Sequence, residues 1–345
     1  MNHSNRAVNF ELLRILAMFG VVMNHVFNYG LNIYDDFSVD TSTFSGLCLW
    51  SVLELMKLVA LPSVNCYILI TGYFLIDKIQ FRLRGIWKVW FTTWFYAVGI
   101  YILSVIFDWI PFSWSELLNH ATPLISNNYW FVTSYIILMM LAPLIALLMK
   151  RVTKRQYEVV LAIGCLICFQ PFLGHILMDQ QQVLLFVYLF LIGGYIRRYY
   201  ENMSIKGIYL FMAYFGILML MYGYMVFKNE HLQNENYVVY AMAYHSMVLP
   251  LSVFLFLWVK GWQINSKPLK KCILWLAPLS FAVYIIHTQS VVHPFLWSGA
   301  QQLLSNVNDF VLPLVCILIA LAVFITGISI DYIRQRLFLL FKKRK

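Results

Sequence analysis

The chain reads as a series of long apolar stretches separated by short polar or charged segments. A helix that crosses the hydrocarbon of a bilayer needs about 20 mostly apolar residues, because each residue advances it by only ~1.5 Å. Ten stretches approach this requirement and predict helices at 7–27, 47–76, 86–107, 128–149, 157–173, 183–200, 207–227, 238–259, 272–292 and 309–331. The pattern therefore predicts an all-α integral membrane protein, a bundle of about ten transmembrane helices.

The second stretch is too long for a single crossing and contains Pro62. Proline lacks a backbone N–H and its ring clashes with the preceding turn, so it interrupts a helix. We therefore expect a break at Pro62, with the shorter half lying in or near the membrane interface.

Lysine and arginine are distributed unevenly over the predicted loops. In a ten-helix arrangement, 22 of the 25 basic residues fall on one side, whereas Arg14 and Lys57 lie within spans and Lys228 lies opposite. Short loops rich in these residues stay in the cytoplasm. The sequence thus predicts that both termini are cytoplasmic.

Composition excludes a soluble globule, since 61% of residues are hydrophobic and only 12% are charged, against about 25% charged in an ordinary soluble domain. The formal charge of +10 follows from the orientation signal and from contact with anionic membrane lipid, so it calls for no nucleic-acid partner. We expect residues 1–345 to form a single transmembrane domain with no appended soluble domain.

The first predicted helix carries three ionisable residues: Glu11, Arg14 and His25. Such groups cost about 2.5–3.5 kcal/mol each within a membrane span, so they are candidates for function. Helical rotation places Arg14 and His25 within about 20° of each other on one face, yet about 16 Å apart along the axis. An alternative reading makes Glu11 and Arg14 an ion pair at the inner interface and His25 a hydrogen-bonded core residue.

A second polar group lies in the ninth span, where Ser280, Tyr284 and His287 share one helix face. These side chains predict the lining of a polar cavity, although tyrosine and histidine are also common at the ends of membrane spans. Tyr129 and Trp130 begin the fourth span and fit an aromatic belt, unless the neighbouring asparagines face a sugar.

Several ordered motifs resemble the membrane-bound acyltransferase-3 family. Arg14 and His25 match its arginine and histidine separated by ten residues, and ILITGYFLIDK matches its Ser-Gly-Tyr-like turn, with Thr71 in place of serine. NNYWFVTSYIILMMLAPLI, FLIGGYIRR and LSFAVYIIH resemble later family segments. The basic loop FRLRGIWKVW departs from the family in having no proline. Together the motifs cover nearly the whole chain.

The resemblance implies an integral membrane O-acyltransferase, usually an O-acetyltransferase. It would move an acyl group from cytoplasmic acyl-CoA (acetyl-CoA) to a hydroxyl of a cell-surface polysaccharide or its lipid-linked precursor, at the plasma membrane and without a metal. In this scheme, Arg82, Arg84 and Lys88 hold the CoA phosphates and Arg14, held by Glu11, orients the donor. Ser280, Tyr284, His287 and Trp130 line the cavity or bind the glycan acceptor.

Histidine chemistry makes His25 the candidate catalytic residue, either as a general base for the acceptor hydroxyl or as a covalent carrier of the acyl group. The acyl group (acetyl or succinyl), the sugar and the oligomeric state are left open. An exporter or flippase of a lipid-linked saccharide is the alternative from another class. It would also need a polar seam, but the paired halves often found in secondary transporters are not visible in the sequence.

Overall fold

The computed structural model describes residues 7–32, 39, 41–126, 128–169, 182–202, 205–231 and 237–343. Within these ranges, the side chains of 168–169, 182, 228–231, 237–246 and 341–343 are not described. Every regular element in the described ranges is helical. The helices are α1 (Val8–His25, followed by a π-helical turn, Val26–Gly30), α2 (Phe44–Ala60), α3 (Ser63–Leu75), α4 (Leu83–Ile106), α5 (Trp114–Ala121), α6 (Trp130–Met149), α7 (Lys154–Phe169), α8 (Gln182–Tyr199), α9 (Gly207–His231), α10 (Tyr237–Lys260), α11 (Lys267–His287), α12 (Val292–Leu304) and α13 (Leu312–Lys343).

In the described part of the chain, seven stretches are long and apolar enough to cross a membrane. They are Val8–Gly30, Phe44–Leu75, Leu83–Ile106, Trp130–Met149, Gly207–Phe227, Lys267–His287 and Leu312–Leu340. Each overlaps a predicted span, so the chain is an all-helical, multi-pass membrane protein. The remaining predicted spans coincide with α7, α8 and α10, and residues 170–173 of the first of these lie outside the described residues. The count of ten and the cytoplasmic position of the termini therefore stay predictions.

The expected break at Pro62 is confirmed: α2 ends at Ala60 and α3 begins at Ser63. The carbonyl of Pro62 accepts the N–H of Cys66, 3.0 Å away, so the proline starts the new helix instead of interrupting one. Lys57, predicted to lie inside a span, is buried and pairs with buried Glu54 at 3.4 Å. The pair places two opposite charges together in an apolar segment.

The chain forms two compact units. The first consists of 1–61, 88–130 and 264–345. Within it, α1 packs against α2, α11 and α13, and the π-helical turn packs against α12. The amide of Asn24 on α1 donates to the carbonyl of Ala60 at the end of α2, 3.0 Å away. Buried Asp331 on α13 accepts the hydroxyl of Tyr96 on α4 at 2.8 Å and Nε of Arg334 at 2.7 Å.

The second unit consists of 62–87 and 131–263, and its closest helix pair is α3 with α8. Glycines allow this approach. A Cβ at Gly72 would overlap the backbone carbonyl of Phe190, and one at Gly193 would overlap that of Leu69. Small residues at a helix contact let membrane helices gain dispersion energy over a large area. The two glycines therefore fix how closely α3 and α8 approach.

Candidate active site

His25 is the last residue of α1, at the point where the α-helix gives way to the π-helical turn. Single π-helical turns often occur at functional sites because they redirect side chains from the regular helical register. His25 is partly exposed, whereas Met23, Val26 and Phe27 around it are buried. The ring is therefore held by packed neighbours, while part of the residue's surface stays uncovered.

His25 forms a hydrogen-bonded pair with His287, the last residue of α11. Nδ1 of His25 and Nε2 of His287 are 2.8 Å apart, and Nδ1 of His287 lies 2.5 Å from the carbonyl oxygen of Val283. A carbonyl can only accept, so His287 donates from Nδ1, and in the neutral pair its Nε2 accepts the Nδ1 proton of His25. This order of donors leaves the lone pair of His25 on Nε2.

The histidine pair is surrounded by aromatic rings from the same unit. The ring of Trp297 lies 6.3 Å from those of both His25 and His287, and the ring of Tyr29 lies 5.3 Å from that of His25. His293 stacks edge-on against Tyr29 at 4.5 Å, and burial lowers its pKa. The rings form a largely apolar wall, which strengthens electrostatic interactions within the site.

Three buried donors of the first unit have no hydrogen-bond acceptor among the described residues. They are the indole N–H of Trp297, the amide nitrogen of Gln289 and the hydroxyl of Tyr129. An unmet buried donor costs about 1–3 kcal/mol, so it often marks a place where a ligand atom binds. Of the three, Trp297 is the one whose ring lies 6.3 Å from both histidine rings. This arrangement can offer a proton acceptor, Nε2 of His25, beside an unused N–H donor.

The interpretation of Tyr129 as part of an aromatic belt is wrong in this structure. Tyr129 is only 1% exposed, and its ring lies 6.4 Å from that of Tyr284, which in turn lies 6.1 Å from that of His287. Its neighbour Trp130, the first residue of α6, is 37% exposed and fits the belt better. No local pattern distinguishes the two rings, since they are adjacent residues at the start of the same helix.

The side chains predicted for the ninth span do not all reach the histidine pair. His287 does so directly and Tyr284 lies next to it, but the hydroxyl of buried Ser280 bonds to the carbonyl of Ala277 at 2.9 Å. Ser280 is also two helical turns, about 10 Å, from His287 along the axis. The structure therefore favours His287 over Ser280 as the functional member of this group.

Glu11 and Arg14 form an ion pair on α1, with Nη1 and Oε1 2.7 Å apart. Glu11 is buried, whereas about a third of the Arg14 side chain is exposed. The pair is local to its helix, as its spacing predicts, and lies about 16 Å along the axis from His25. The structure does not bring Arg14 and His25 into contact.

Arg82, Arg84 and Lys88 are exposed around the start of α4. Arg82 and Arg84 belong to the second unit, and Lys88 belongs to the first. No ion pair involving Arg82 or Arg84 occurs among the described residues. Across the same part of the chain, no three histidine, cysteine or acidic side chains are grouped so as to hold a metal ion.

The helices and the histidine pair define a multi-pass membrane protein with a histidine-centred polar site between α1 and α11. A family model described as an acyltransferase domain, that of the acyltransferase-3 family, matches residues 8–332. The chain therefore belongs to the acyltransferase-3 family, as its motifs indicated, and is a membrane acyltransferase. No curated protein and no solved structure matches it.

Proposed function

We propose that this protein is an O-acyltransferase of the plasma membrane, and specifically an O-acetyltransferase. It takes the acyl group from cytoplasmic acyl-CoA and places it on a hydroxyl of a cell-surface polysaccharide or its lipid-linked precursor. Family membership supports the reaction class. The hydrogen bond between His25 and His287 supports the chemistry and is the observation on which the proposal rests.

In the general-base route, Nε2 of His25 accepts the proton of the acceptor hydroxyl as the oxygen attacks the thioester carbonyl. The carbon–sulfur bond then breaks, and the imidazolium returns the proton to the departing CoA sulfur, so charge and atoms balance. In the covalent route, Nε2 itself attacks the carbonyl, the carbon–sulfur bond breaks and CoA leaves as the thiolate. The alcohol then takes the acyl group from Nε2, and its proton passes to the CoA sulfur. Both routes need the lone pair on Nε2, the position that the hydrogen bond to His287 leaves free.

Attack on the thioester places negative charge on the carbonyl oxygen. A fixed N–H donor in a water-poor site stabilises such an oxygen without having to reorganise. The buried indole N–H of Trp297 lacks an acceptor in the described residues and lies beside the histidine pair. We assign this donor to the thioester carbonyl, a role that no sequence motif indicates for Trp297.

The other predicted residues keep supporting roles in the proposal. Arg14, fixed by Glu11, orients the donor along α1, and the exposed cations Arg82, Arg84 and Lys88 attract its phosphates. Tyr284 and Trp130 are the remaining candidates for the glycan acceptor. The reaction needs acyl-CoA, membrane lipid and glycan, and neither a metal nor a nucleic acid.

Labelled acetyl-CoA supplied to purified protein in vesicles, with and without glycan, tests the proposal. We expect label to appear covalently on the glycan. His25→Ala should lower the rate by about 10²–10⁴-fold, the usual contribution of a general base. His293→Ala is the matched control, because it removes an imidazole that is near His25 but not hydrogen-bonded to it, and it should keep most of the rate.

Two results would contradict the proposal. One is an unchanged rate of acyl transfer in His25→Ala protein that is present in the membrane at normal levels. The other is unlabelled glycan that crosses the bilayer unmodified, which is the behaviour of the exporter or flippase alternative.

A further inference from the structure

A pocket of about 390 Å³ opens in the second unit, whereas the histidine pair belongs to the first. Its volume lies within the ~300–1,000 Å³ typical of small-molecule sites. Two cations, two aromatic rings and two other polar residues line it: Lys154, Arg198, Tyr199, Tyr200, Glu201 and Asn202. Arg198 ends FLIGGYIRR, one of the segments that resemble the family, but the proposed mechanism gives this pocket no role.

Arg198 forms the fixed wall of the pocket. Its Nε bonds to Asp77 at 2.9 Å, and its two terminal nitrogens bond to the carbonyls of Met149 at 2.5 Å and Ile76 at 3.3 Å. These contacts join the ends of α3, α6 and α8. A guanidinium has five N–H donors, so the three bonds leave two donors for a ligand. Arg198 is therefore a positioned cation and not a mobile surface charge.

Lys154, the first residue of α7, lies opposite. Its ammonium group is 5.7 Å from the centres of both the Tyr199 and the Tyr200 rings, and its Nζ is 3.8 Å from Glu158. The side chain is about half exposed, so it can move to meet a ligand. The pocket thus combines an adaptable ammonium group with two phenol rings.

The acidic residue of the lining is already neutralised. Arg197 pairs with the carboxylate of Glu201, and the ammonium group of Lys260 donates to the carbonyls of Tyr200 and Glu201 at 3.2 and 2.7 Å. Lys260 therefore adds positive charge behind the chain segment that carries the two tyrosines. Asp77 and Glu158 pair with Arg198 and Lys154, so the positive charge in excess of the carboxylates is that of Lys260. This excess favours an anion, and the tyrosine rings favour a flat ring system.

We propose that this pocket binds a phosphorylated adenine nucleotide. The base stacks on a tyrosine ring, as bases do on aromatic side chains in general, and Lys154 and Arg198 bind phosphate. The identity of the nucleotide rests on the proposed function, for which it is the 3′-phospho-ADP end of acyl-CoA. In this proposal Arg82, Arg84 and Lys88 only attract the donor, and the pocket, which they do not line, holds its phosphates. The basic segments that predict the cytoplasmic face supply Lys154, Arg198 and Lys260, so the predicted orientation places the pocket on the side where acyl-CoA is found.

Titration of the purified full-length protein in nanodiscs of neutral lipid with adenosine 3′,5′-bisphosphate tests this site. Calorimetry should detect binding to the unaltered protein. Lys154→Gln should weaken it about tenfold, the effect of losing one charged hydrogen bond. Arg155→Gln is the matched control, because Arg155 is an exposed neighbouring cation outside the pocket lining, and it should leave affinity unchanged.

A second pair of variants tests whether the base stacks on a tyrosine ring. Tyr200→Ala should weaken binding about tenfold, since it removes a ring on which the base can stack. Tyr209→Ala, which removes an exposed ring of α9, should leave it unchanged. If inorganic phosphate binds as tightly as the nucleotide, or if anionic lipid displaces the nucleotide completely, the pocket recognises phosphate alone and the nucleotide proposal is wrong.

Binding and catalysis separate the two proposals. His25→Ala protein should bind the nucleotide normally while transferring no acyl group. If the protein transfers acyl groups but Lys154→Gln and Tyr200→Ala leave its affinity for the nucleotide unchanged, only the pocket assignment is wrong. Nucleotide binding that depends on these residues, without any transfer, overturns the proposed function alone.

Discussion

Replacing His287 tests whether the histidine pair works through the position of a proton. In His287→Ala the Nδ1 proton of His25 loses its buried acceptor, 2.8 Å away. A neutral hydrogen bond contributes about 0.5–1.5 kcal/mol, so its loss alone lowers the population of the active tautomer by up to about tenfold. Freedom of the His25 ring to turn adds to this loss. Together the two losses bring the decrease in kcat closer to the ~10²–10⁴-fold that a general base contributes.

We therefore expect His287→Ala to lower kcat for acyl transfer at least about tenfold. The KM for acyl-CoA should stay unchanged, because His287 acts on the proton of His25 and is not among the residues that line the proposed nucleotide pocket. His287→Gln should recover much of the rate, since its amide oxygen can accept the same proton. The assay is the rate of labelled acetyl transfer at saturating acyl-CoA in vesicles.

The reasoning fails if His287→Ala, folded and present at normal levels, keeps kcat within about twofold. It also fails if the glutamine variant is no more active than the alanine variant. A purely structural role for His287 would lower the melting temperature of both variants in proportion to their activity. Thermal unfolding of the same preparations provides that comparison.

The remaining predictions concern stability and the ion pair on α1. Gly72→Ala should destabilise the protein by at least about 1–3 kcal/mol, because the new Cβ overlaps a backbone carbonyl, whereas Gly216→Ala, which meets open space, should not lower its melting temperature. Burial lowers the pKa of His120, so the unfolded chain binds more protons and stability should fall as pH drops below ~6.5; His120→Gln should flatten that decline in thermal melts from pH 8 to 5. Arg14→Gln leaves buried Glu11 without its ion pair and should reduce folded protein in membranes. The double variant Arg14→Gln, Glu11→Gln should regain normal levels of folded protein but not acyl transfer. If it transfers acyl groups at the full rate, the ion pair has only a structural role.

Much of the local architecture could be predicted from the sequence, because it depends on neighbouring residues. The seven apolar segments of sufficient length coincide with predicted spans, and α2 and α3 separate at Pro62. The ion pair between Glu11 and Arg14 follows from their spacing of three residues. The family, too, was recognisable from ordered motifs.

The composition of the site depended on contacts between distant parts of the chain. His25 and His287 are 262 positions apart, and the sequence placed them in two separate polar groups. Trp297 belongs to no sequence motif, so its place beside the histidine pair could not be predicted. Tyr129 and Trp130 are adjacent in the sequence, so their different burial could not be predicted either. Burial and partners are properties of packed helix faces, so one-dimensional spacing could not assign them.

The sequence by itself determined which segments enter lipid, because hydropathy and proline breaks act over one or two helical turns. It also provided the cations and histidines of the two sites. Only the tertiary structure decided that the end of α11 meets the end of α1, and that Lys154, Arg198 and Lys260 gather around one pocket. The reason is physical: apolar surface on a helix can be buried against many partners, and packing of whole faces selects among them.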